Sequence, residues 1–355
     1  MSGRSPEEKY IQAISKRTKK LKKGMCRYVS KVCEVLELLQ EKCKERESGS
    51  LSDALKNSLT EHFRDIFQSL KLHLLFHGAS DADLKRMGVW ELVSLSADEM
   101  EAKPDEKSVI DPGSKILEIV SDITQRGDVP KGSSEHVQKV MEEATDLFRS
   151  IPQLFRPKVL AVVSHNGESF VGASISVSNF LRPLYLHKRI ADFKNPSLRK
   201  AIISYQPLET ADTQGWRSEA TKISDIPTAR DIPTARDTCK PACVNCRRTF
   251  RNLKGFVPEN EQGDDKNTTI LGACAEYCPV DKLLHDETND GSEIGYCLQK
   301  NLEQCLELFM KFDAISEQCQ EADSSKDIQN IKQVYEQVYP ILDIFGRSPE
   351  FNDKF

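Results

Sequence analysis

Residues 157–177 read PKVLAVVSHNGESFVGASISV, and this stretch decides the fold class. It holds two runs of strand-forming residues on either side of Asn166-Gly167. Both residues of an Asn-Gly pair tolerate positive φ, so the pair is the strongest short-range signal for a β-hairpin. The sequence therefore predicts strands at about 158–164 and 169–177. His165 stands at the turn between them, where we expect an exposed side chain.

The chain before this hairpin has a helical period. Apolar residues recur every three or four positions from Ile11 to Leu39, and a second stripe runs from Leu55 to Leu74. Because a matching stripe lies so near in the same chain, a helical hairpin is favoured over a coiled coil between two chains. Two shorter helical patterns follow at 116–123 and 137–148.

The chain after the hairpin is mixed in its patterns. Helical spacing returns at 181–193 and again at 302–315 and 328–345. Residues 206–242 have few apolar side chains and contain the tandem repeat DIPTARDIPTAR, so we expect an extended, exposed loop there. The predicted fold class is therefore α+β or α/β, with an all-helical region at 1–150 followed by a mixed domain at 151–355.

Composition and charge narrow the class of protein. The 355 residues carry a net charge of −5 and include 11 cysteines. No apolar run approaches the roughly 20 residues of a membrane span, and the start lacks the pattern of a secretory signal. We expect a cytoplasmic or nuclear location. In these compartments cysteine thiols bind metals or pack in the core more readily than they form disulfides.

The N-terminal segment is basic, whereas the rest of the chain is acidic. Residues 1–46 hold 13 Lys/Arg against 6 Asp/Glu. Six of the cations stand close together: Lys16, Arg17, Lys19, Lys20, Lys22 and Lys23. A nuclear-import signal or a contact to nucleic acid is one interpretation of this cluster, and a solvated helix face is the other.

Four cysteines are grouped around one acidic residue in two segments, PACVNC at 241–246 and CAEYC at 274–278. The two residues between Cys243 and Cys246 let the backbone turn and bring both sulfurs to one metal ion. After 27 intervening residues, the second segment supplies two further thiols with a glutamate between them. The PVDKLL that follows predicts a helix, because Pro279 is tolerated in a first helical turn.

Three chemical interpretations of these residues stay open. Cys243, Cys246 and Cys274 with a water molecule would form an open zinc site whose water Glu276 could reach. Adding Cys278 would close the site as a structural four-cysteine centre, with the glutamate at the surface. In the third interpretation no metal binds, and the cysteines pack as small hydrophobic residues.

The CAE at a helix start, the Pro-x-Cys-x-x-Cys chelate and the upstream hairpin together resemble the cytidine deaminase-like superfamily. That superfamily pairs a His/Cys-x-Glu motif with a Pro-Cys-x-x-Cys motif around zinc. The resemblance covers at most residues 155–290, and the two motifs stand in the reverse of the usual order. It implies a Zn²⁺ ion on Cys243, Cys246 and Cys274, with Glu276 as the proton shuttle.

The resemblance implies a zinc-dependent hydrolytic deaminase that acts on a cytosine-type base or nucleoside. Nucleic acid is a second candidate partner, through the basic N-terminal helix. The alternative class is a zinc-stabilised interaction protein that catalyses nothing. Cys278 separates the two, because an open site must keep this thiol away from the metal.

Overall fold

The computed structural model describes residues 27–45, 53–75, 106–125, 129–152, 156–177, 182–223, 239–240, 242–256, 271–284, 303 and 306. Their helices are α1 at 27–45, α2 at Asp53–Leu75, α3 at Pro112–Thr124, α4 at Ser134–Ser150, α5 at Arg182–Asp192, α6 at Pro196–Ile203, α7 at Val244–Thr249 and α8 at Tyr277–Leu283. The strands are β1 at Val159–His165, β2 at Glu168–Ala173, β3 at Arg217–Lys222 and β4 at Cys239–Lys240. A short 3₁₀ turn at Glu106–Ser108 precedes α3. None of these helices is long and apolar enough to cross a membrane.

The fold class is α+β, with one small antiparallel sheet in the order β2-β1-β3-β4. The predicted hairpin is confirmed: β1 and β2 pair in register, and Asn166 and Gly167 both have positive φ, at 50° and 85°. The second strand ends earlier than expected. Beyond Ala173 the chain leaves β1, and the Ile175 amide donates to the Ala273 carbonyl at 3.0 Å.

Two expectations for this half of the chain are wrong. The predicted loop at 206–242 contains β3, which pairs with β1 along its whole length and buries only Ala220. A strand with so little apolar surface gives no alternating signal. His165 is buried rather than exposed, because its ring stacks on Trp216 at 4.1 Å and bonds to the Asp212 carboxylate at 2.7 Å.

The two long N-terminal stripes are buried as predicted, where the structure describes them. Tyr28, Val32, Val35 and Leu39 of α1 and Leu59, Phe63, Ile66 and Leu70 of α2 belong to the main hydrophobic core. The Tyr28 and His73 rings lie 5.8 Å apart, which joins the two helices. His73 also bonds to the Tyr185 hydroxyl of α5 at 2.8 Å, so the helical region and the sheet region share one core.

The helices α3 and α4 confirm the patterns at 116–123 and 137–148, and both begin at a side-chain cap. The Asp111 carboxylate accepts from the Ser114 amide, and the Ser133 hydroxyl accepts from the His136 amide. Pro112 occupies the first turn of α3, where its missing N–H costs nothing. The division into 1–150 and 151–355 stays a prediction.

A buried arginine connects the helical region to the chain that carries the second cysteine motif. Arg189 of α5 donates to the Asp111 carboxylate at 3.2 Å and to the Ala173 carbonyl at 3.1 Å. Its other terminal nitrogen lies 3.4 Å from the Cys274 carbonyl. The planar guanidinium donates in several directions at once, so one side chain fixes α3, β2 and the cysteine segment together.

Candidate metal centre

Two short helices bring the cysteines together. Cys243 caps the N-terminus of α7, and its sulfur accepts from the Cys246 amide at 3.5 Å. Cys274 lies just before α8. The helices are joined by Tyr277, whose hydroxyl bonds to Thr249 at 3.0 Å and whose ring contacts that of Phe250 in a tilted arrangement, with the ring centroids 4.9 Å apart. The CxxC therefore reaches the CAE segment although it comes first in the chain.

The three sulfurs are placed as metal ligands would be. Cys243, Cys246 and Cys274 are buried, and their Sγ atoms all lie within 4.8 Å of one another. The Cys243 and Cys274 sulfurs are 3.4 Å apart. Two thiolates on a tetrahedral zinc ion with Zn–S bonds of about 2.3 Å stand roughly 3.8 Å apart. Three buried cysteines in this arrangement are able to bind a metal ion.

The thiols also share a proton network. Hydrogen bonds from Cys246 and Cys274 lower the pKa of the Cys243 thiol to about 3. Burial raises the pKa of Cys246, and the hydrogen bond to Cys243 raises that of Cys274. Cys243 is thus the thiol of the three that loses its proton most readily, and the thiolate is the form that binds a metal ion.

Glu276 is the buried carboxylate beside the sulfurs. It occupies the N-cap position of α8, is 5% exposed, and makes no capping hydrogen bond to the helix. Burial is the main cause of the raised pKa of Cys246, and the hydrogen bond to Cys243 is the main cause of the raised pKa of Cys274; the negative charge of Glu276 adds a smaller contribution to both. The CAE segment was expected at the start of a helix, and Glu276 directly precedes the first residue of α8, Tyr277.

A row of small residues positions the Cys274–Glu276 segment on the sheet. Gly172, Ala161 and Ala220 are register neighbours across β2, β1 and β3, and Ala275 packs on the two alanines. A Cβ atom on Gly172 would lie 2.1 Å from the Ala275 carbonyl oxygen. Sequence reasoning missed this glycine, although a glycine inside a strand signals a close backbone approach.

Cys278 is not part of the sulfur cluster. Cys274 lies before the helix, whereas Cys278 lies in the first turn of α8 and is half-buried. It lines a cavity of about 290 Å³ with residues of α2, α3, α4 and β2, including His62, Asp122 and Gly172. Among the described residues no fourth Cys, His, Asp or Glu joins the three sulfurs.

Several predicted features lie outside the described residues. They are the basic cluster of Lys16, Arg17, Lys19, Lys20, Lys22 and Lys23, the DIPTAR repeat at 225–236, and nearly all of the two C-terminal helical patterns. What the sequence predicts for these segments stays a prediction.

The chain was also compared with protein-family models, curated proteins and solved structures, and none of them matches.

Proposed function

We propose that this chain is a zinc-dependent hydrolytic deaminase that acts on a cytosine-type base. Cys243, Cys246 and Cys274 would hold the metal, and Glu276 would move protons. The observation that supports the proposal is the position of Cys278: its thiol stays out of the three-sulfur cluster, which would leave a fourth ligand position for water on a bound ion.

The chain's own residues have separable tasks in this proposal. Three thiolates would hold the zinc ion, which when bound would supply a nucleophilic water near neutral pH. Glu276 would move the protons of that water: a C–O bond replaces the C–N bond of the ring, one proton goes to the amine that leaves as ammonia, and the other stays on the ring nitrogen. Glu276 is buried at the start of α8, two positions after the candidate ligand Cys274.

The small-residue row supports the proposal through positioning. Glu276 can serve as a shuttle only when its carboxylate is held within hydrogen-bond reach of the reacting atoms. Ala275 sits on Ala161 and Ala220, and the Arg189 guanidinium holds the Cys274 carbonyl. The segment between the third ligand and the acid is thus fixed from two sides.

Metal content and ammonia release test the proposal together. We expect one zinc ion per chain in the wild type and in Cys278→Ser, and loss of zinc in Cys274→Ser. Glu276→Gln should keep its zinc and lose at least 10²-fold in ammonia release from cytosine-containing substrates, because general acid–base catalysis contributes that much.

Other outcomes would point to the non-catalytic class. Zinc that is lost with Cys278→Ser would show a closed four-cysteine centre. A second outcome is that zinc is retained in every variant except Cys274→Ser, but no ammonia is released from cytosine, cytidine or cytosine-containing oligonucleotides. This outcome would indicate a metal-stabilised interaction protein. A circular dichroism melt of each variant separates metal loss from unfolding.

A further inference from the structure

Two of the three clustered sulfurs are already in contact. The Cys243 and Cys274 Sγ atoms lie 3.4 Å apart, and both residues are free thiols. In a disulfide the two sulfurs are about 2.05 Å apart, so these atoms would have to approach each other by about 1.4 Å. Rotation of either side chain about its Cα–Cβ bond supplies a movement of this size.

The backbone that carries this pair is held in place by contacts that use no sulfur atom. The Tyr277 hydroxyl bonds to the Thr249 hydroxyl at 3.0 Å, which joins α8 to α7. The Arg189 guanidinium lies 3.4 Å from the Cys274 carbonyl oxygen. Because none of these contacts involves a thiol, they are compatible with both the reduced and the oxidised state of the pair.

Burial distinguishes this pair from the third sulfur. Cys246 is fully buried, whereas Cys243 and Cys274 keep 8% and 6% of their surface exposed. The susceptibility of a cysteine to oxidation increases with its exposure. The two cysteines that a small oxidant reaches first are therefore the two whose sulfurs are in contact.

We propose that Cys243 and Cys274 are a site of reversible oxidation, at which a peroxide joins the two sulfurs in a disulfide and so stops metal binding. One sulfur attacks a peroxide oxygen, so that an S–O bond forms, the O–O bond breaks and a first water leaves. The other sulfur then attacks this sulfenic sulfur, so that the S–S bond forms, the S–O bond breaks and a second water leaves. Two thiols thus lose two electrons and two protons, and one hydrogen peroxide becomes two waters.

The disulfide removes two of the three candidate metal ligands. The thiolate is the form of cysteine that binds a metal ion, and a disulfide has none. Cys246 would remain as a single thiolate, because no fourth Cys, His, Asp or Glu joins the sulfurs in the described part of the chain. A bound zinc ion would therefore be released. The disulfide rests on the sulfur geometry alone, whereas the loss of zinc and of ammonia release rests on the proposed function.

Reduction by a dithiol reverses the bond. The dithiol gives two electrons and two protons to the Cys243–Cys274 disulfide and becomes a disulfide itself. In a reducing compartment the disulfides that form are usually transient and redox-sensing. The pair would then lower metal binding during exposure to peroxide and restore it afterwards.

Peptide mapping after peroxide treatment tests the bond. The reduced, zinc-loaded full chain is treated with hydrogen peroxide, its remaining thiols are blocked with N-ethylmaleimide in denaturant, and the unreduced digest is analysed by mass spectrometry. We expect a cross-link between the peptides that contain Cys243 and Cys274, with fragment ions that show Cys246 alkylated. The thiol count per chain should fall from eleven to nine while a chromogenic chelator takes up one zinc ion, and dithiothreitol should reverse both changes.

Three serine variants serve as controls. Cys278→Ser changes a thiol outside the cluster and should form the same cross-link to the same extent as the wild type. Cys246→Ser should also keep the cross-link, whereas Cys274→Ser should lose it. A circular dichroism melt of each variant recognises a folding defect. The wild type unfolded in urea should show no preference for this pair, because the contact depends on the fold.

Four outcomes would overturn the assignment. In the first, the folded wild type joins Cys246 to either of the other two sulfurs. In the second, no cross-link forms, and the cluster sulfurs stay reduced or gain two oxygen atoms as sulfinic acid. In the third, the urea-unfolded chain forms the Cys243–Cys274 bond as readily as the folded one. In the fourth, the bond forms but the zinc ion stays bound, so that the pair does not control metal binding.

Ammonia release distinguishes failure of this inference from failure of the proposed function. A Cys243–Cys274 disulfide in a chain that binds no zinc and deaminates no cytosine compound would overturn the deaminase proposal and leave the oxidation site standing. Undiminished zinc content and ammonia release after peroxide treatment, without a cross-link, would overturn the oxidation site and leave the deaminase proposal standing.

Discussion

Gly172 is the residue at which the sheet approaches the cysteine segment most closely. A Cβ atom there would meet the Ala275 carbonyl oxygen at 2.1 Å and the Pro279 ring at 2.5 Å, and neither atom belongs to a flexible side chain. Any side chain larger than hydrogen must therefore push α8 off β2. Because Cys274 and Glu276 flank Ala275, that displacement would be felt directly at the candidate metal centre.

We therefore expect Gly172→Ala to lower the free energy of unfolding by about 1–3 kcal/mol, as overpacking does, and to reduce zinc content. Gly215→Ala is the matched control: nothing lies within 4 Å of its Cβ position, but its φ of +74° costs about 1 kcal/mol. Denaturant unfolding and elemental analysis measure the two effects. Equal zinc content in both variants would contradict the close approach of Gly172.

The grouping of the three clustered cysteines was predictable from spacing, but the position of Cys278 outside the cluster was not. The CxxC and CAE spacings indicated Cys243, Cys246 and Cys274 as a group. Whether Cys278 joins them depends on where α8 begins, because one residue of shift turns a side chain by about 100°. The Gly172 contact depends on tertiary packing of segments a hundred residues apart, which no local pattern encodes.

At the scale of elements, α8 is anchored through the turn between α5 and α6. The buried Asp281 carboxylate accepts from the Asn195 amide at 2.9 Å and from the Lys194 amide at 3.1 Å. Burial raises the pKa of Asp281, while these two backbone bonds and nearby cations oppose that shift. These two hydrogen bonds satisfy two backbone amides in the turn that precedes α6.

Asp281→Ala should therefore cost about 2–4 kcal/mol of unfolding free energy, since a hydrogen bond to a charged group contributes about 1.5–3 kcal/mol. The control is Asp146→Ala, which removes an exposed carboxylate paired with Arg149 and should cost less than 1 kcal/mol. Urea unfolding at neutral pH compares them. If both variants have the same midpoint, Asp281 does not anchor α8.

The elements differ in how far the sequence determined them. The hairpin was predictable because Asn166-Gly167 specifies the turn locally, and α8 was predictable because Pro279 marks a first helical turn. The strand β3 was not, because Ala220 is its only buried side chain and the small-residue row allows no larger one. Its position is set by pairing with β1, a contact between residues about 60 positions apart.

At the scale of the whole molecule, two buried histidines make stability depend on pH. Burial lowers the pKa of His73 to about 4 and that of His187 to about 3, from an ordinary value near 6.5. Between pH 6.5 and the lowered pKa values, these histidines bind protons in the unfolded chain but not in the folded chain. Stability is therefore fully present above pH 6.5 and falls as the pH is lowered towards 4.

From pH 6.5 to pH 5 each histidine should remove about 1.6 kcal/mol of unfolding free energy, because the slope rises from half of 1.36 kcal/mol per pH unit at pH 6.5 to nearly the full value at pH 5. The His187→Leu chain should lose less stability over this range than the wild type, whatever its stability at pH 7. His62 is a suitable control, because it lies partly exposed beside Glu118 and Asp122. Equal pH slopes for wild type and His187→Leu would refute the assignment.

The candidate metal centre also has a consequence for the chain as a polymer. Cys243 and Cys274 are 31 positions apart, and their sulfurs nearly touch. A cross-link that closes a loop of this length removes about 4 kcal/mol of conformational entropy from the unfolded chain. An ion bound to both sulfurs would impose the same restraint, so metal binding would fix both ends of the chain segment that connects α7 to α8. The same ion would then take part in catalysis and stabilise the fold.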